Sequence, residues 1–138
     1  NAISLKSLKV FAGTGEPQKA EMKLETFGEL KEATETGDGP VDAIFKCIKK
    51  IYPHDVNLQL YNVHAVTEGT DAQATVSVRI EENGKTTVGQ AANTDTLVAS
   101  ADAYLNALNK MIIKRKKTAP DSIDIGSGAY ERKKDGTI

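Results

Sequence analysis

Four aspartates stand where the chain changes direction, and they are the first groups to test for chemistry. Asp38 and Asp42 bracket Gly39-Pro40-Val41, Asp71 follows Gly69-Thr70, and Asp95 lies between Thr94 and Thr96. A carboxylate at such a corner can hold an ammonium group; it can equally cap a helix or close a turn. His54 and His64 have no cysteine or carboxylate at ligand spacing, so they read as a turn histidine and a strand histidine and not as a metal site. The single cysteine, Cys47, sits inside a helical apolar pattern, which predicts a buried, inert thiol. Ser100, in Ala99-Ser100-Ala101, lacks the glycine-rich elbow of a nucleophilic serine. Gly13-Thr14-Gly15 looks like half a phosphate loop, but no Lys-Ser/Thr follows and no helix opens there. No catalytic set emerges from these residues.

What remains is a pair of helix starts. Gly37-Asp38-Gly39-Pro40-Val41-Asp42 and Asn93-Thr94-Asp95-Thr96 each precede an amphipathic run. A helix start offers free backbone N–H groups and a partial positive charge, which together suit a carboxylate. Glycines at 37 and 39 let a ligand approach the backbone closely. Two such starts facing one cleft, with Asp42 beside an ammonium group and aliphatic walls, would suit a small apolar amino acid. The plainer alternative is two well-capped helices.

The elements that would position these groups follow from periodicity. Ala20, Met22 and Leu24 alternate with charged residues, as do Val76, Val78 and Ile80 before the turn signal Asn83-Gly84, so both stretches read as half-buried strands. Val41, Ile44, Phe45, Ile48 and Ile51 recur at helical spacing between Pro40 and Pro53, a start and a stop. Leu97, Ala101, Tyr104, Leu105, Leu108, Met111 and Ile112 predict a longer helix ending in Lys114-Arg115-Lys116-Lys117. The halves also repeat: Gly13-Thr14 and Gly69-Thr70, Leu24 and Ile80, Gly28 and Gly84, Val41 and Leu97 are each 56 positions apart. Each copy reads as strand, Gly-Thr loop, strand, turn, short strand and helix. The first spans about residues 3–52 and the second about 56–117. The expected fold is α+β: two βββα units, six strands and two helices, with one helix on each three-stranded sheet. Residues 1–117 form one domain, and 118–138 an irregular tail with a short helix or partner contact near Ile123 to Ile125.

Composition excludes several functional classes. The 138 residues are 39% hydrophobic and 27% charged, an ordinary globular balance. A net charge of −1 gives no global field for nucleic acid, and the basic run reads as the solvated last turn of a helix. No signal peptide or membrane-length apolar run is present, and one cysteine fits a reducing, cytoplasmic compartment. The start at Asn1-Ala2 reads as the cut end of a longer chain.

Three stretches resemble a known family. Thr36-Gly37-Asp38-Gly39-Pro40-Val41-Asp42-Ala43 is similar to a signature of the C-terminal regulatory domain of 2-isopropylmalate synthases. Tyr61 through Gly69-Thr70-Asp71-Ala72-Gln73 resembles that family's strand and following turn. Thr94 to Ser100, continuing through Ala103 to Asn109, resembles its final helix. The likeness covers about residues 5–115, in order and at the right spacing.

The resemblance implies a regulatory piece of an enzyme that condenses acetyl-CoA with 2-ketoisovalerate in a metal-dependent TIM barrel. This chain carries no catalytic motif of the barrel and needs no cofactor; the divalent metal belongs to the missing part. It implies two βββα units about a pseudo-twofold, a homodimer, and feedback inhibition by leucine bound at the helix starts and dimer interface. The effector-binding residues carried over are Gly39, Val41 and Asp42 at the first helix start, then Leu58, Tyr61 and Ala65 on the next strand. The Thr70, Asp71 and Ala72 turn, Ala74, and Thr94 with Thr96 at the second helix start complete the set. Thr96 departs from the aliphatic residue of some relatives. The alternatives are the isoleucine-sensing domain of a citramalate synthase and a purely structural dimerisation module.

Overall fold

The structure, a computed structural model, describes residues 2–66 and 73–118, without the side chains of Val66 and of residues 116–118. In chain order it contains β1 (Ile3–Phe11), β2 (Gln18–Thr26), β3 (Glu29–Gly37), α1 (Pro40–Ile51), β4 (Asn57–Val66), β5 (Gln73–Glu82), β6 (Lys85–Asn93) and α2 (Thr96–Thr118). The strands form two antiparallel sheets, β1-β2-β3 and β4-β5-β6, each followed by its helix. This is the α+β, doubled βββα architecture that the repeat predicts. The third strand of each unit is nine residues long, not short as expected. Its sequence has little apolar alternation to read, and its length follows from pairing with the second strand and packing on the helix. No described helix is long and apolar enough to cross a membrane.

The repeat is geometric as well as textual. Phe27-Gly28 and Asn83-Gly84 are both two-residue hairpin loops with positive φ at each position, as a type I′ turn requires. The second and third strands pair in equivalent register: Leu24 opposes Lys31, and Ile80 opposes Thr87. The first strands do not keep the same offset. Leu5 pairs with Leu24 and Leu58 with Ile80, and a bulge interrupts each strand just after these residues. Leu5 and Leu58 are therefore equivalents, at an offset three residues shorter than that of the other elements. The difference falls in the first hairpin of the second unit, where Gly69 and Thr70 lie outside the described residues.

One continuous core holds the two units together. Ala20, Met22 and Leu24 of β2 face Ala43, Ile44, Cys47 and Ile48 of α1, while Val76, Val78 and Ile80 of β5 face the inner side of α2. The helices also pack against each other, and α2 reaches beyond its own sheet to β1. Asn109 makes that contact: the Ile3 N–H donates to its Oδ1 at 2.9 Å, and its Nδ2 donates to the Ile3 carbonyl at 2.8 Å. On β6 the closeness comes from small residues. A Cβ at Gly89 would run into the Ala103 carbonyl and the Ala107 amide of α2, and the Thr87 hydroxyl donates to the Ala107 carbonyl at 2.8 Å.

Candidate functional site

The inner face of β4 is where the two units differ most. β1, its counterpart, is covered by α2, so Ile3 is buried and Leu5, Leu8 and Val10 pack on the core. In the second unit α2 covers β5 and β6. Leu58, Tyr61, Val63 and Ala65 pair directly with Ile80, Val78, Val76 and Ala74, so they share the inward-facing side of the sheet. Yet Leu58 is 47% and Val63 41% exposed, and Ala65 is exposed as well. An apolar row in register with the core and left exposed is a candidate contact surface.

At one end of the row a cleft of about 230 Å³ opens between α1 and β4. Leu58 and Val56 form one wall, Asp42, Phe45, Lys46 and Lys49 of α1 another, and His54 and Tyr104 the floor. Aromatic contacts join wall and floor: the Phe45 ring lies 4.4 Å from that of Tyr104 and meets Tyr61 edge-on at 6.0 Å. The Tyr61 hydroxyl and the Ser100 hydroxyl are 2.6 Å apart, and Ser100 Oγ donates to the Thr96 carbonyl at 2.8 Å. Tyr61 thereby links the cleft to the first turn of α2.

The two helix starts are capped by different means. Asp42, in the first turn of α1, accepts the Asp38 N–H at 2.9 Å and stands 3.2 Å from Lys46 Nζ. The Asp38 hydrogen bond holds its carboxyl below the usual range, with Lys46 adding to the effect. Its side chain is still 44% exposed, so further contacts remain open to it. Gly39 is the N-cap residue and makes no side-chain cap bond. At α2, Asp95 Oδ1 accepts the N–H groups of Leu97 and Val98 at 2.9 and 3.4 Å, and Asn93 Oδ1 accepts that of Asp95 at 2.8 Å.

The structure brings some expected site residues together and leaves others apart. Asp42 and Leu58 share the cleft, and Tyr61 adjoins it through Phe45. Ala65, Ala74 and Asn93 form one transverse row, which places Ala65 and Ala74 beside the chain leading into Thr94 and Thr96; both threonines are exposed. Gly39 and Val41 are half-buried at the α1 start. Thr70, Asp71 and Ala72 lie outside the described residues. Sequence reasoning missed Phe45, His54 and Tyr104 as parts of the cleft, although the helical spacing of Phe45 and Tyr104 already placed them on inward faces. Cys47 is fully buried, its Sγ donates to the Ala20 carbonyl at 3.3 Å, and burial pushes its pKa up to about 11, which makes the thiol inert.

His54 carries a pH effect. It is only 8% exposed, with Nδ1 2.7 Å from the Tyr52 carbonyl and Nε2 2.9 Å from the Tyr104 hydroxyl. A carbonyl only accepts, so Nδ1 bears the proton and Nε2 accepts from Tyr104. Burial lowers the His54 pKa below its ordinary 6.5, a shift that Lys49 and Arg115 reinforce and the Tyr52 carbonyl and Glu82 oppose. The unfolded chain therefore binds more protons than the folded one in this range. The contribution of His54 is complete above its unfolded pKa and is lost as pH falls through its folded one. We expect the urea midpoint to drop between about pH 7 and about pH 5, and His54→Gln to flatten that drop.

Comparison with known proteins identifies a family. The family profile described as the LeuA allosteric (dimerisation) domain matches residues 1–112. The chain is 57% identical over 115 residues to a 2-isopropylmalate synthase of Bradyrhizobium diazoefficiens, covering 83% of this chain and 22% of that protein. It is 56% identical over 126 residues to one from Caulobacter sp. strain K31, covering 91% and 24% respectively. A third, from Rhodopseudomonas palustris strain BisB5, is 58% identical over 115 residues, covering 83% and 22%. The chain thus spans under a quarter of the length of these relatives. With its doubled βββα fold and a profile match across nearly all of the described residues, the chain belongs to the LeuA allosteric (dimerisation) domain family.

Proposed function

We propose that this chain is the leucine-sensing, dimer-forming regulatory part of a 2-isopropylmalate synthase in the cytoplasm, and that it exerts feedback inhibition on a catalytic TIM barrel in the same full-length protein. The barrel would hold the divalent metal and join acetyl-CoA to 2-ketoisovalerate. The observation that carries the reading is the bare inner face of β4, which runs from the Asp42 cleft past Tyr61 to Ala65 and Ala74. Its aliphatic and small residues suit a branched side chain, and Asp42 suits an ammonium group. A second copy laid over this face would bury the apolar row and enclose the effector. The domain is therefore expected to sediment as a symmetric dimer at tens of micromolar, roughly the range of ordinary dimers. A monomer at that concentration would contradict this.

One observation favours a different reading. The Asp42 carboxylate already has two partners, Asp38 N–H and Lys46, as a purely structural role would require. Asp42→Asn separates the two. It keeps the shape and removes the charge, and the Lys46 pair is exposed enough to contribute little to stability. If Asp42 holds the effector ammonium, leucine affinity falls about tenfold or more while the unfolding midpoint hardly moves. A less stable domain with unchanged leucine affinity would make Asp42 a helix-start residue only. Isoleucine, the effector of the citramalate synthase alternative, would fill the same cleft, and only a side-by-side titration tells the two apart.

A further inference from the structure

The two sheets have four edges, and α2 treats them unequally. Along β6, the carbonyls of Gln90, Val88 and Thr86 accept in turn from Asn106 Nδ2 at 2.8 Å, Lys110 Nζ at 2.7 Å and Lys114 Nζ at 2.8 Å. The donors recur every four residues on the helix and the acceptors every second residue on the strand. The steps match, at about 6 Å along a helix and about 7 Å along a strand. Alternate residues of an edge strand turn their backbone groups to the same side, so these three carbonyls form the row that an incoming strand would have to use. From the same helix, Asn109 holds both backbone groups of Ile3 on the β1 edge. No helix of the described residues lays such a row along β3 or β4; exposed apolar side chains occur on all four edge strands, Phe11 on β1 and Val88 on β6 included.

We infer that α2 seals the β6 edge, so that strand-to-strand association with a second copy of this chain does not use β6. The point goes beyond the proposed function and does not depend on an effector. An edge strand whose outward carbonyls are already occupied cannot accept the N–H groups of an incoming strand, which removes one place where further copies could add. Lysines suit the task, because a long flexible stem lets each ammonium group reach from the helix to a strand carbonyl.

The test removes the donors and keeps the stems. Lys110→Met with Lys114→Met leaves the core and the β4 face untouched. Sedimentation of this chain over a wide concentration range should show the double variant growing past the wild-type species, by about twofold or more in weight-average mass. Hydrogen exchange should then show the Thr86, Val88 and Gln90 amides becoming protected as the mass rises. A variant that sediments like the wild type at every concentration would overturn the inference. So would growth without protection of those amides, since association would then use another surface. Asn106→Ala with Lys110→Met provides a second route should the first variant fold poorly, with the same two readouts deciding.

Discussion

Gly89→Ala is expected to destabilise the chain by about 3 kcal/mol or more, the high end of what overpacking a core costs. The added methyl would meet backbone atoms, the Ala103 carbonyl and the Ala107 amide, and not a flexible side chain that could turn away. Relief requires α2 to lift from β6, which would also break the Thr87 bond to the Ala107 carbonyl and loosen the lysine row. Gly39→Ala is the control. A Cβ there meets nothing within 4 Å, so only the poorer N-cap is felt, a cost of about 1 kcal/mol or less. Urea unfolding at one fixed protein concentration compares the two, since association would otherwise shift the midpoint. Equal losses in both variants would mean that the helix-to-sheet approach at Gly89 is not the tight one.

Ala65→Leu should abolish leucine binding, weakening it by about a hundredfold or more, while the chain keeps its melting behaviour. Ala65 lies on the inward side of β4, directly opposite Ala74, and no helix of its own unit covers it. Three added carbons therefore meet no core residue in the folded chain. They would fill space that the proposed effector needs, and filling a pocket costs its ligand far more than it costs the fold. Unchanged leucine affinity in a folded Ala65→Leu variant would move the pocket away from this part of β4.

Much of the fold was legible because its signals are local. The alternation at Ala20-Met22-Leu24 and Val76-Val78-Ile80, Pro40 and Pro53 around α1, and the Asn83-Gly84 turn each fix an element without reference to the rest. The third strands were harder, since Glu29–Gly37 shows little apolar alternation and takes its place from pairing with β2 and packing on α1. The shifted offset between β1 and β4 was hidden, because register depends on which residues bulge and not on residue type. The site divides in the same way. Asp42 and the helix starts stand out as polar groups at corners. The exposure of β4's inner face was not readable, since it depends on α2 covering β1 in one unit while β4 in the other goes uncovered. His54 looked like a turn residue for the same reason: its partner Tyr104 is 50 positions away.

Calorimetric titration of this chain with leucine, isoleucine and valine in parallel tests the leucine-sensing proposal most directly. A pocket that separates these side chains works with only about 1–3 kcal/mol, so leucine should give a saturable heat and bind roughly tenfold or more tightly than the other two. Saturable binding of isoleucine with little response to leucine, or no heat from any of the three at millimolar concentration, would contradict it.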